Sequence, residues 1–440
     1  MRRDLPFVDA NPRDTLLSAL ALGAMATVLL AFAEWSSGYT IHLLTKAGIY
    51  VTIAISYNLI NGVTGQFSLE PNAFVAIGAY TTALLTLSPA EKAQSFIIEP
   101  IIWPLSVIQI PLLPALIIAG LVTAGAAFLM GFPVFRVRGD YLAIVTLGFG
   151  EVVRVVANNL QSVTNGPLGL KGIPKWTTLW SAWGLAAVSV FVIYRLVRSS
   201  FGRALKAIRL DETAAEAMGI NAFWHKMLAF TLSAFFEGVA GGLLGHLLTT
   251  IDPKMFTFFL TFELLIIIVV GGLGSTTGSV IAAVGLTFIS EWMRVVEEPM
   301  TAAWLLGVAA VVGLGLAGAG LAVVLLARRR GSMGAWYHRR RRWVLGGGAA
   351  GLALALGALV TGLILSQWGL ARRELPGQPG MRMVIFSVTL VLFMIFARQG
   401  LLGQKDFSWA WLIGLPARLR RAGRPPGQSP AEETGDEGRS

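Results

Sequence analysis

Residues 105–131 read LSVIQIPLLPALIIAGLVTAGAAFLMG, a run without a charged side chain. A helix needs about 20 consecutive, mostly apolar residues to cross a hydrocarbon core, and this run is long enough. Working outward, comparable blocks lie near 15–33, 41–60, 71–88, 141–160, 177–197, 226–250, 258–272 and 279–293, with more near 301–327, 344–366 and 382–397. In a bilayer the backbone must satisfy its own hydrogen bonds, which a helix does within one segment. The pattern predicts an all-α, polytopic transmembrane helical bundle.

Composition agrees. Hydrophobic residues make up 55% of the chain and charged ones 13%, against about 25% charged in a soluble domain; the mean hydropathy is +0.68. The formal charge of +11 does not point to nucleic acid, because the arginines sit in short runs between apolar blocks, as cytoplasmic anchors do. The absence of cysteine excludes disulfides, thiolate metal sites and cysteine nucleophiles. His42, His225, His246 and His338 have no metal-ligand spacing, so neither metal nor cofactor is implied. The run from Leu16 to Ala33 is longer than the apolar part of a signal peptide, and Asp4, Asp9 and Asp14 precede it; a retained first helix is expected.

With the N-terminus in the cytoplasm, alternation of the spans puts Arg136, Arg138 and the loop 198–226 on that side. Arg328–Arg330, Arg339–Arg342, Arg418, Arg420 and Arg421 fall there too, as does the C-terminus. These positions obey the positive-inside rule. Within the span 141–160, Glu151, Arg154 and Asn158 share one helical face. Charge at mid-bilayer costs about 2.5–3.5 kcal/mol, so that face lines the bundle interior or an aqueous path, or its charges pair with each other. Residues 271–278, GGLGSTTG, have no lysine where a phosphate cradle needs one; they read as a tight turn that lets two helices pack closely.

Residues 201–220, FGRALKAIRLDETAAEAMGI, read as an amphipathic helical pair in the cytoplasm. Leu205, Ile208, Ala215 and Met218 form an apolar stripe, Arg203, Lys206, Arg209, Asp211 and Glu212 carry charge, and Gly219 suits a left-handed helix end. Such a loop either docks in the groove of another protein or is simply solvated.

GRALKAIRLDETAAEAMGI (202–220) resembles the coupling loop of the branched-chain amino acid ABC importer permeases. YNLINGVTGQFSL (57–69), AFVAIGAY (73–80), RVRGDYLAIVTLGFGEVVRVVANN (136–159), TNGPLGL (164–170), ELLIIIVVGGLGSTTGSV (263–280) and GLTFISEWMR (285–294) resemble the same family in the same order. The likeness runs from about Gly48 to Arg294 and resumes over 381–403, MRMVIFSVTLVLFMIFARQGLLG. It implies a permease core over 1–296, about ten family-like spans, a final helix over 381–403 and a cytoplasmic tail over 404–440, whose end, Gly423–Ser440, is rich in Pro, Gly and Glu and is expected to be disordered. Between them, 297–380 reads as an inserted two-span hairpin with a basic loop, 328–342, which is either a plain positive-inside anchor or a grip on anionic lipid headgroups.

The resemblance implies an importer in the cell membrane with two ATPase subunits, a second permease (a paralogue or a copy of this chain) and a periplasmic or lipid-anchored substrate-binding protein. Gly202, Arg203, Ala204, Asp211, Glu212, Ala215, Met218 and Gly219 then belong to the ATPase-coupling loop. Glycines and prolines interrupt the apolar pattern at 62–72 and 164–169, and broken-helix N-termini suit a substrate carboxylate. Gln66, Ser68, Asn72, Asn165 and Gly166 are accordingly the substrate-path candidates. Two departures stand out. The family reads Gly-His-Ala-Ala-Phe where this chain has Glu70-Pro71-Asn72-Ala73-Phe74, and Glu237 replaces a small apolar residue, so an interior polar partner is expected for it. The rival to an ATP-driven importer is an ion-coupled secondary transporter using Glu151, Glu237 or Glu263. The same machine carrying urea, amides or sugars is a third option, and a membrane enzyme is disfavoured because no nucleophile–base pair or metal cluster lies in the spans.

Overall fold

The computed structural model describes residues 38–136 and 141–294, with short pieces at 300–301, 356–357 and 374–375. The chain divides into two units, Met1–Met293 with Arg382–Asp406 and Arg294–Met381 with Phe407–Ser440. In the second, Met300–Thr301 pairs antiparallel with Glu374–Leu375. The expected first span, the basic loop 328–342, the helix 381–403 and the tail lie outside the described residues.

The first unit is helical. Helix α1 is Gly38–Asn58 and continues as a wide π-helical turn, Leu59–Thr64. There follow α2 (Pro71–Thr86), α3 (Pro89–Ser95), α4 (Leu112–Val134), α5 (Tyr141–Asn159) and the single turn α6 (Gln161–Thr164). Next come α7 (Leu179–Arg198), α8 (Ser200–Leu210), α9 (Glu212–Ala217), α10 (Ala222–Leu248), α11 (Phe258–Gly271) and α12 (Thr276–Arg294). Among the described residues, five stretches are long and apolar enough to cross a membrane: Gly38–Thr64, Leu112–Val134, Leu142–Asn159, Leu179–Arg198 and Ala222–Leu248; Phe258–Gly271 and Thr276–Glu291 are shorter apolar helices.

The core is built on α1, α2 and α10. In the first and last of these, 89% and 78% of the spanning residues are buried, against 33%, 17% and 28% in α4, α5 and α7, which form the shell. Helix α2 approaches α10 backbone to backbone: a Cβ at Gly78 would strike the Gly238 carbonyl, and one at Gly241 the Val75 carbonyl. Small residues at such contacts gain dispersion where burial from water offers no drive. The turn between α11 and α12 works the same way, with Gly271 packed on the backbone of Gly278 and left-handed φ at Gly272 and Gly274. Residues 271–278 therefore form the close-packing turn that the sequence suggested.

The connections gather at two ends. At one, the turn after α1, the end of α4, the α8–α9 pair and the α11–α12 turn meet; Phe132 packs edge-on against Phe223 with centroids 5.8 Å apart. At the other, Leu170–Lys171 pairs with Thr250–Ile251, Asn165 Nδ2 donates to Ser95 O at 3.0 Å, and His246 Nδ1 lies 2.8 Å from Pro174 O. The span expected over 105–131 starts later, at Leu112, behind Pro111. The reason is that the preceding carbonyls are engaged elsewhere: buried Lys92 donates to Leu105 O at 2.7 Å and Ile108 O at 2.5 Å.

Candidate functional site

Between α1 and α2 the chain breaks inside the bundle. Gly65 closes the π-helical turn with φ +72° and donates its N–H to Ile60 O. Residues 66–70 then run without helix until Pro71, whose missing N–H and fixed φ suit the first helical position. A buried break must satisfy its backbone, and side chains do so here. Tyr57 Oη donates to Ser68 O at 2.7 Å, Ser68 N donates to Asn61 Oδ1 at 2.9 Å, and Leu69 N donates to Thr146 Oγ1 at 2.9 Å. Asn72 is held by α11 and its approach: its N–H donates to Thr261 Oγ1 at 3.3 Å and its Nδ2 to Phe256 O at 3.2 Å, while Thr261 Oγ1 donates back to Asn72 Oδ1 at 3.0 Å. The Ala73 N–H turns back to Glu70 O at 2.8 Å. The first turn of α2 thus spends its donors inside the protein.

Glu70 stands at the end of this break, and Glu237 lies on α10, which packs against the π-helical turn and α2. Both are fully buried, and their carboxyls are close enough to interact electrostatically with each other and with Tyr57. Ser233 Oγ donates to Glu237 Oε1 at 3.1 Å, the interior polar partner expected for that residue. Among the described residues, both Glu70 oxygens, Glu237 Oε2, Ser68 Oγ and Gln66 Oε1 have no hydrogen-bond partner. The two residues that departed from the family pattern are therefore both enclosed in the same part of the bundle.

The amphipathic pair expected over 201–220 is present as α8 and α9. Ser199, Asp211 and Asn221 begin α8, α9 and α10, their side chains accepting from Gly202 N (3.4 Å), Ala214 N (3.0 Å) and Trp224 N (3.2 Å), as N-caps do. Leu205, Ile208 and Ala215 are buried. Met218 is not in the stripe: it is 83% exposed. Gly219 turns the chain with φ +84°, so that Ile220 comes back to pack on Ile208, Ala215 and Ala222 in place of Met218. Glu212 is tied to Lys226 at 2.5 Å, whereas Arg203 donates to Ser200 Oγ at 2.9 Å and points outward. Gly202 is buried where a Cβ would meet the end of α7, and Ala204 is half-buried.

A model of the family described as "Branched-chain amino acid transport system / permease component" matches residues 39–317. Two curated relatives, the high-affinity branched-chain amino acid transport system permease proteins LivM of Salmonella typhimurium and Escherichia coli, are each 35% identical over 328 residues. The aligned part is 67% of this chain and 72% of theirs. This chain belongs to that permease family. It is a multi-pass membrane protein of a transport system. No solved structure is significantly similar to it.

The remaining family-permease candidates are scattered over the bundle. Asn165, at φ +60°, and Gly166 lie at the opposite end from α8; Asn165 Nδ2 also donates to Gly169 O at 2.7 Å. Glu151 and Arg154 pair on α5 at 2.6 Å, with side chains 40% and 34% exposed, next to a half-buried Asn158. Glu263 accepts from Ser290 Oγ at 3.1 Å. Sequence reasoning overlooked Arg209 and Thr261 as contacts to the break. Nothing local signals Thr261, whereas Arg209 stood out only as one charge among several.

Proposed function

We propose that this permease is the membrane-spanning subunit of an ATP-driven importer of branched-chain amino acids in the cell membrane. It works with two ATPase subunits, a substrate-binding protein and a second permease. The family match carries the reading, and the α8–α9 pair supports it. That pair is a rigid, capped, amphipathic unit with Leu210 and Met218 left 88% and 83% exposed, apolar knobs of the kind a groove on an outside domain takes up. Closing of the ATPases moves this unit and biases the bundle between outward- and inward-facing states; the ligand shifts that balance only by binding the two states differently. A substrate passing the break between α1 and α2 meets Ser68, Gln66 and the Glu70–Glu237 pair, a polar patch suited to an ammonium group.

The same buried carboxyl pair favours a second reading, an ion-coupled transporter whose protons ride on Glu237 and Glu70. One experiment separates them. The chain is reconstituted with the ATPase subunits and binding protein encoded beside it, and ATP-dependent leucine uptake is measured for wild type, Arg203→Ala with Glu212→Ala, and Lys226→Ala. The importer reading expects uptake to need ATP and the double variant to lose it. Lys226→Ala, which breaks only the internal bridge, should keep most of it. Uptake that runs without ATPases, follows a proton gradient and is lost in Glu237→Gln assigns the chain to the second reading.

A further inference from the structure

Arg209 is the last basic residue of α8, and its side chain reaches away from the loop into the bundle. Its Nη1 donates to the carbonyl of Gly62 in the π-helical turn. Its aliphatic stem lies across Gly65, where an added Cβ would sit 2.5 Å from Arg209 Cγ, and its guanidinium adjoins Gly274, where an added Cβ would sit 2.9 Å from Nη1. Gly65 and Gly274 have φ of +72° and +93°, so both turns are shaped by glycine and leave room for this one side chain. The two turns are also stitched to each other: Asn58 Nδ2 donates to Ser275 O at 3.1 Å and Gly274 N donates to Asn58 Oδ1 at 2.9 Å. A cation beside the open carbonyls at a helix C-terminal end is favoured by charge as well as by the hydrogen bond.

We propose that Arg209 is the positioning residue that joins the α8–α9 unit to the two broken-helix turns, so that a displacement of the loop is handed directly to the Gly62–Asn72 crossing and to the start of α12. This rests on the importer reading, in which the loop is where ATPase motion enters. Its physical basis is that α8 otherwise touches the bundle through Phe201, stacked on His225, Leu205 and Ile208, contacts that slide more easily than a hydrogen-bonded pin, while the Glu212–Lys226 bridge ties the unit to α10 and not to either turn. Lysine at this position keeps a donor for the Gly62 carbonyl but lacks the planar guanidinium that lies beside Gly274.

The test uses the full reconstituted complex. Arg209→Ala should lower leucine taken up per ATP hydrolysed by about tenfold, within the range that coupling between sites spans, while the complex still assembles and hydrolyses ATP; Arg209→Lys should recover part of the loss. Because the chain has no cysteine, Lys206→Cys with Phe67→Cys, both exposed positions, reports the loop–break distance by paired spin labels in an otherwise wild-type background. One distance, the same with and without ATP, is expected, broadening when Arg209→Ala is added. A nucleotide-driven change of more than about 5 Å, the size of a one-turn ratchet, would show that the break does not follow the loop and would overturn the proposal. So would an unaltered uptake-to-ATP ratio in Arg209→Ala. If wild-type uptake needs no ATPase, the importer reading itself fails, an outcome distinct from either of these.

Discussion

Lys92, together with Pro111, shows how single residues bear on where a helix begins. Its ammonium is wholly enclosed and is met by two carbonyls, those of Leu105 and Ile108. Burial therefore holds its pKa below the ordinary lysine range, while the unfolded chain keeps a value of about 10.4. Between the lowered value and 10.4 the unfolded chain binds more protons, so stability rises with pH across that window. The thermal midpoint of the purified protein should accordingly climb as pH is raised from neutral towards about 10, and the climb should vanish in Lys92→Met. At neutral pH that variant should also be less stable by about 1–3 kcal/mol, because two buried carbonyls lose their donor; an unchanged midpoint and an unchanged pH slope would refute the assignment. The same residue explains why apolar composition misplaced the start of α4: residues 105–110 are as apolar as those after them, but a lysine from another element holds their carbonyls. Glu70 and Glu237 were each legible as anomalies. Their adjacency was not, since it arises from the packing of α2 on α10.

Among elements, the α8–α9 pair was the most legible, because amphipathic spacing and caps are local. Asp211 read as one of several charges, yet it caps α9. Asp211→Ala should cost about 1 kcal/mol and speed amide exchange over residues 212–218, whereas Asp211→Asn, which keeps the acceptor, should lose only a few tenths. Equal exchange in the two variants would mean that charge rather than capping matters there. Met218 was misassigned because helical spacing was carried through a residue that sits at the helix end; the left-handed turn at Gly219 moves the next apolar contact to Ile220. The break between α1 and α2 was visible as glycine and proline. Its wide π-helical turn was not, since its shape depends on Gly274, bonded to Asn58, and on Arg209, both distant in sequence from the turn.

At the scale of the whole molecule, the described residues contrast an enclosed α1–α2–α10 core with a thinly covered shell. Helix α5 is the extreme case: 17% of its spanning residues are buried, yet it carries Glu151 and Arg154 as a partly exposed ion pair. A lone charge at the centre of a span costs about 2.5–3.5 kcal/mol on insertion scales, and a pair lowers the cost by partial neutralisation. Glu151→Leu alone should therefore strand Arg154 and sharply reduce the amount of protein inserted in the membrane. Glu151→Leu with Arg154→Leu should restore insertion, because an all-apolar α5 suits lipid at least as well. Transport separates the remaining possibilities. If the pair only pays its own way in lipid, the double variant imports normally; if the face lines an aqueous path, as intramembrane charge ordinarily does, the double variant inserts, assembles and fails to import.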